Sequence, residues 1–70
     1  MGRAVKFKNV KIGRNFKPNA TSDKVYRKTG GSLITQKRYN KDYKVKVNSV
    51  NIHNKHDGTN FDEDRIVELM

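Results

Sequence analysis

The sequence contains no cysteine and no tryptophan, and it has a single proline in 70 residues. Without cysteine, the chain can form neither a disulfide scaffold nor a cysteine-based zinc module, and thiol catalysis is excluded. Hydrophobic residues make up only 33% of the chain, which suffices for one thin core. We therefore expect a single small basic β domain over residues 1–70.

Long apolar runs are missing as well. No stretch approaches the ~18 apolar residues that a membrane-spanning helix needs. The first residues interleave lysine with valine, where a signal peptide would be continuously apolar. We expect a soluble, cytoplasmic protein that does not bind membranes.

Acidic residues are scarce, since seven Asp and Glu stand against sixteen Lys and Arg, for a formal net charge of +9. The excess lies in residues 1–47, which hold fourteen basic and two acidic residues, whereas residues 48–70 hold two basic and five acidic ones. Such a distribution favours polyanionic partners such as nucleic acid, an acidic protein surface or anionic lipid.

Apolar and basic residues alternate along much of the basic part. Val5 and Phe7 alternate with lysines, and Tyr43, Val45 and Val47 do the same. Alternation with period two predicts strands that have one buried and one solvated face. The eight asparagines lie mostly beside these runs, which is typical of turn-rich β structure.

Gly30 and Gly31 are the strongest hairpin signal in the chain, because two adjacent glycines permit the positive φ angles of a type I′ turn. β-prone runs flank them on both sides. The sequence therefore predicts that strands over residues 24–29 and 32–38 pair with each other.

Two further irregularities are predicted in the second half. The apolar phase shifts by one residue between Val47 and Val50, and this predicts a β-bulge at residues 48–49. Asp57 and Gly58 form a dipeptide that favours a tight turn.

The last ten residues predict one helical or 3₁₀ turn at residues 61–64 and a closing strand at residues 65–69, because the apolar positions are too few for a stable helix face. Four to five short strands without a long helix define the expected fold class. It is all-β, or β-rich with one short helical turn. The expected architecture is a small, strongly bent antiparallel sheet or an SH3-like barrel.

Three segments have a combination of spacing and composition found in a known group of proteins: Phe7-x-x-Val10-x-x-Gly13-x-x-Phe16, then Val25-Tyr26-Arg27-Lys28-Thr29, and finally Phe61-Asp62-Glu63-Asp64-Arg65-Ile66-Val67-Glu68. Together they resemble short basic accessory proteins of tailed bacteriophages. The resemblance implies a small SH3-like β-barrel in the cytoplasm of an infected bacterium, acting on host machinery or nucleic acid, and it implies no catalytic residue. Residues 48–59 depart from the pattern and leave the strand order open.

A cluster of basic and aromatic side chains is the candidate nucleic-acid-binding site. Lysine and arginine neutralise phosphates while tyrosine rings stack on unpaired bases, as in proteins that bind RNA or single-stranded DNA. The alternative is a solvated lysine face with the tyrosines in the core. The candidate residues fall on two or three adjacent predicted strands: Arg27, Lys28, Lys37, Arg38, Tyr39, Lys41, Tyr43, Lys44 and Lys46.

Other polar groups give weaker signals. His53, His56 and Asp57 are potential metal ligands, but a structural site needs about four ligands. A nuclease would need a carboxylate cluster, or a histidine with a positioned lysine, inside a cleft, and a chain this small has little room for a cleft. We expect no metal, no other cofactor and no enzymatic activity. The acidic residues 62–64 either cap a helical turn, contact the chain's own basic face or form a protein-binding epitope.

Three hypotheses of function follow. The first is a non-enzymatic module that binds RNA or single-stranded nucleic acid, acting as a phage regulator or counter-defence factor. Its binding is largely independent of sequence, because no recognition helix or zinc finger is present. The second is a protein inhibitor that docks its basic face on an acidic surface or nucleic-acid channel of a host enzyme. The third is a ribosome-associated or structural basic protein, and the oligomeric state stays open.

Overall fold

The computed structural model describes residues 3–70, and these form one antiparallel sheet of six strands in the order β1-β6-β2-β3-β4-β5. The predicted all-β class is confirmed, with six strands rather than four to five, and the predicted closing strand is present as β6. The elements are β1 (Arg3–Lys6), a 3₁₀ helix (Phe7–Asn9), β2 (Asn15–Lys17), β3 (Tyr26–Arg38), β4 (Lys41–Asn51), β5 (Asn54–Thr59) and β6 (Ile66–Leu69).

The core is a cluster of aromatic rings at one end of the sheet. The ring centroid of Phe16 lies 5.4 Å from that of Phe7 and 5.2 Å from that of Phe61, and Tyr26 lies 5.5 Å from Phe61. Edge-to-face contacts of this kind stabilise a fold by about 0.5–1.5 kcal/mol each beyond the area they bury. Because the rings gather near β2 and β6, most of the β3–β4 hairpin lies outside the core.

The prediction of a hairpin turn at Gly30 and Gly31 is wrong. β3 runs through both glycines, and the pair forms an irregularity in which Lys28 pairs with Ser49 and Ser32 pairs with Val47. The positive φ angles of the glycines, 77° and 138°, serve this bulge instead of a turn. Because β3 gains two residues over β4, the alternation of faces is preserved across the bulge.

The chain reverses at Tyr39 and Asn40, a two-residue turn between Arg38 and Lys41, which pair with each other. Their φ angles are 52° and 61°, as a type I′ turn requires at both central positions. Asparagine tolerates this conformation, but an aromatic residue rarely adopts it. The sequence signal was therefore weak at the real turn.

The irregularity predicted at residues 48–49 is present in the β3–β4 ladder, between the pairs Lys28–Ser49 and Ser32–Val47, but the extra residues belong to β3, and β4 itself runs from Lys41 to Asn51. The apolar phase shift has another cause. Ser49, which is fully buried, and Asn51 continue the buried face of Val47, so polar residues occupy positions where an apolar side chain is expected. The irregular register lies opposite, in β3.

Asp57 and Gly58 lie inside β5, so the tight turn predicted for them is wrong. A Cβ at Gly58 would stand 2.7 Å from both Ile34 Cδ1 and Val47 Cγ2. Gly58 thus permits a close approach of β5 to the β3–β4 hairpin. The chain reverses earlier, at residues 52–53.

The segment predicted as a helical turn at residues 61–64 contains a hydrogen-bonded turn, in which the Arg65 N–H donates to the Asp62 carbonyl at 3.1 Å. The 3₁₀ helix lies at Phe7–Asn9 instead. The two segments meet, since the Phe7 N–H donates to the Arg65 carbonyl at 2.8 Å. No helix within residues 3–70 is long and apolar enough to cross a membrane.

Candidate nucleic-acid interface

The outer part of the β3–β4 hairpin, residues 32–47, forms a two-stranded ribbon that we call the basic arm. Within residues 3–70, β2 pairs with β3 only at Tyr26 and Arg27, and β5 pairs with β4 only at residues 49–51. Over residues 32–47, β3 and β4 therefore pair with each other and with no third strand. The overall extents of 39 × 21 × 18 Å reflect this elongated shape.

The base of the basic arm is held by β5. Ile34 and Val47 are buried where Gly58 approaches them, and His56 Nδ1 donates to the Thr35 carbonyl at 3.1 Å. This contact requires a proton on Nδ1 of the imidazole. The end of the arm, from residue 36 to residue 43, extends beyond these contacts.

The pairing register divides the arm's cations between two faces. Residues directly opposite in an antiparallel pair share a face, and faces alternate along each strand. Arg38 pairs with Lys41, and Tyr43 shares their face. Lys37, Lys44 and Lys46 lie on the opposite face, where Lys44 pairs with Thr35 and Lys46 with Leu33. All five cations are exposed.

The two tyrosines of the basic arm are outside the core. Tyr39 forms the tip and is 94% exposed, and Tyr43 is 45% exposed. Together with Arg38, they line an open depression of about 360 Å³, to which the adjoining Lys44 and Val45 contribute. Aromatic rings beside a guanidinium group can contact both the faces of bases and the phosphates.

The structure places Arg27 and Lys28 outside the basic arm and engages both in internal contacts. Arg27 Nε donates to Asn15 Oδ1 at 3.1 Å. Lys28 Nζ donates to the Phe7 carbonyl at 3.1 Å and lies 4.5 Å from the centroid of the Phe7 ring. The arm thus brings together seven of the nine candidate residues, while these two fasten β3 to neighbouring segments.

Asp57 is the centre of a polar network at the open end of the β3–β4 hairpin, outside the basic arm, which the sequence did not indicate. Its carboxylate accepts hydrogen bonds from the Tyr26 hydroxyl and from Asn51 Nδ2, both at 3.1 Å, and Lys24 Nζ lies 3.6 Å away. Burial acts to raise the pKa of Asp57, but the bonds from Asn51 and Tyr26, with the charge of Lys24, outweigh burial and lower that pKa. The network fastens β5 to β3 and β4.

The remaining candidate groups lie apart from one another. His53 sits in the turn before β5, and His56 contacts the arm as described. In the part of the chain that the structure describes, no three His, Asp or Glu side chains are close enough to hold a metal ion. Of the acidic residues 62–64, Asp64 lies 4.0 Å from Lys8 Nζ, and both side chains are solvent-exposed.

Comparisons of the chain with protein-family models, with curated proteins and with solved structures find no match. The resemblance to accessory proteins of tailed bacteriophages therefore stays a prediction.

Proposed function

We propose that this protein is a non-enzymatic nucleic-acid-binding protein that contacts phosphates through the basic arm, with little dependence on base sequence. The observation that carries the proposal is the exposed and conformationally unfavourable position of Tyr39 at the tip of the arm. Its ring is 94% exposed at a turn where its φ of 52° is unfavourable for an aromatic residue. A residue held in a strained conformation and open to solvent is typical of a functional position.

The alternative of a purely solubilising lysine face accounts poorly for these side chains. It requires the tyrosines to be buried, whereas the buried tyrosine is Tyr26, and the arm exposes both Tyr39 and Tyr43. A hairpin that served stability alone would carry Asn-Gly or Asp-Gly at the turn. Exposed rings among cations instead favour contact with bases and phosphates.

The electrostatics of the arm support phosphate contact. Five cations and one carboxylate, Asp42, lie within residues 32–47. Most of the cations are lysines, which bind phosphates as point charges and carry little information about base sequence. We therefore assign the arm to sequence-independent binding, and the setting of an infected bacterium rests on the resemblance alone.

A salt series tests this function. Fluorescence anisotropy with mixed-sequence DNA and RNA oligonucleotides gives the slope of log K against log [salt]. Contact with four to five phosphates predicts a slope of about −3 to −5, since each phosphate contributes about −0.7 on a single strand and −0.9 on B-form DNA. The slope should become about 2 units shallower in the triple variant Lys37→Gln, Lys41→Gln, Lys44→Gln.

The matched control removes three cations elsewhere, with Lys6→Gln, Lys11→Gln and Arg14→Gln, all exposed positions outside the arm. This control should keep most of the parental slope. A slope near zero for the parent protein with every oligonucleotide would overturn the proposal and favour docking on an acidic protein surface, which depends less on salt.

A further inference from the structure

We infer that the ligand of the basic arm is double-stranded B-form DNA, with the arm inserted into a groove, rather than a single strand laid along one face. The inference rests on the proposed function and adds to it the class of nucleic acid. It narrows the expectation of RNA or single-stranded DNA that the sequence alone supports.

The first argument for binding in a groove is that cations lie on both faces of the basic arm. Arg38 and Lys41 lie on one face of the ribbon, and Lys37, Lys44 and Lys46 lie on the other, where Asp42 pairs with Lys37, so that each face carries a net charge of +2. A single strand bound to a sheet follows one face, so cations on the second face would contact nothing. A groove has a phosphate backbone on each side, and a ribbon within it presents one basic face to each wall.

The second argument is that the dimensions of the basic arm match those of the groove. The major groove of B-form DNA is about 12 Å wide and admits a two-stranded β-ribbon, whereas the deep, narrow major groove of an RNA duplex does not. His56 of β5 bonds to the Thr35 carbonyl, three positions before Arg38 at the end of β3. At about 3.3 Å per residue the ribbon extends about 10 Å past Thr35, which is comparable to the groove depth of about 8.5 Å.

The third argument comes from Tyr39, the residue at the tip of the basic arm. A ribbon that enters a groove end-on brings its turn to the base edges first, and here the turn presents the exposed ring of Tyr39. An aromatic ring at that depth contacts base edges such as the thymine methyl group, which lies in the major groove. Lysine at the same position would be drawn back to the phosphates.

The test compares one mixed 20-base sequence as duplex DNA, as single-stranded DNA and as duplex RNA, at 0.1 M salt. We expect the DNA duplex to bind at least about tenfold more tightly than either other form, because the single strand releases fewer counterions per phosphate and the RNA duplex has no major groove wide enough for the ribbon. A single strand or an RNA duplex that binds as well as the DNA duplex would overturn this inference while leaving the proposed function intact. Absence of binding to all three would overturn the proposed function itself.

Two matched double variants test the use of both faces. Arg38→Gln with Lys41→Gln removes two cations from one face, and Lys37→Gln with Lys44→Gln removes two from the other. Each pair should weaken binding to the DNA duplex by about 10- to 100-fold at 0.1 M salt, because each lost phosphate contact removes nearly a factor of ten. An effect confined to one pair would contradict insertion into a groove.

Controls separate loss of binding from loss of folding. Lys6→Gln with Lys11→Gln removes the same charge from exposed positions outside the arm and should weaken binding less than either arm pair. Thermal unfolding of all variants should give melting temperatures close to that of the parent. Equal weakening by the control pair would show that net charge, and not the arm, determines affinity.

Discussion

Asn48 and Asn60 form a reciprocal pair in which each side-chain amide bonds to the backbone of the other segment. The Asn48 N–H donates to Asn60 Oδ1, and Asn60 Nδ2 donates to the Lys46 carbonyl, both at 3.0 Å. In return, Asn48 Nδ2 donates to the Phe61 carbonyl and its Oδ1 accepts the Phe61 N–H, again at 3.0 Å. The pair provides hydrogen-bond partners for the Asn48 N–H and the Lys46 carbonyl, which lie beyond the last β4–β5 pair at Ser49 and Thr59. It also holds Phe61 in the core.

Asn48→Asp should destabilise the fold, because the carboxylate keeps the bond from the Phe61 N–H but opposes the Phe61 carbonyl with a second acceptor. The expected loss is about 1–3 kcal/mol of unfolding free energy, measured by urea denaturation. Asn54→Asp is the matched control. The side-chain oxygen of Asn54 accepts the His56 N–H, which a carboxylate also does, so equal losses in the two variants would show that the reciprocal pair is not what matters.

Gly58→Ala should lower stability by about 1–3 kcal/mol, because the new Cβ overlaps Ile34 and Val47 in a packed region. Urea denaturation measures the loss. Lys55→Ala, at an exposed position of the same strand, should change stability by less than about 0.5 kcal/mol. If Gly58→Ala were as stable as the parent, the close packing of β5 on the hairpin would be refuted.

Asp57 should make stability depend on pH in the acidic range. Since its pKa is lowered in the folded state, its contribution is fully present above the unfolded pKa of about 3.9 and is lost as the pH falls through the lower folded pKa. Urea denaturation at pH 6, 4 and 3 should show Asp57→Asn to be less stable than the parent at pH 6. The difference should shrink as the pH falls, and a constant difference would exclude titration of Asp57 as its source.

Tyr39→Asn should separate stability from binding. Asparagine tolerates the left-handed conformation of the turn, so the unfolding free energy should rise by about 1 kcal/mol. Affinity for DNA should fall about tenfold with an unchanged salt slope, because a ring and not a charge is removed. Asn40→Gly, the control at the other turn position, should keep the parental affinity. Full affinity in Tyr39→Asn would exclude a role for the ring.

Alternation of side chains was sufficient to predict the class of fold. Tyr43, Val45 and Val47 share one face of β4, as their spacing indicated, and the closing strand lies where its apolar residues place it. The position of the hairpin was not predictable in the same way. Gly30 and Gly31 permit a turn and a bulge equally well, and Tyr39 occupies the real turn against its own conformational preference.

Polar residues with tertiary roles account for the other errors. Ser49 lies on the buried face of β4 and breaks the apolar pattern there, and Asn48 and Asn60 bond across segments rather than forming turns. These roles depend on neighbours distant in sequence, which local propensity does not report. The basic cluster was visible from composition, but its division between two faces needed the pairing register.

Amide chemical-shift mapping tests the central claim most directly. The protein, labelled with ¹⁵N, is titrated with a mixed-sequence DNA duplex, and the shift of each backbone amide is followed. If the basic arm is the binding site, the largest shifts should fall on residues 36–44, including Tyr39, with smaller changes around the core. Shifts concentrated on β1 and β6, or no shifts at saturating DNA, would contradict the assignment of nucleic-acid binding to the arm.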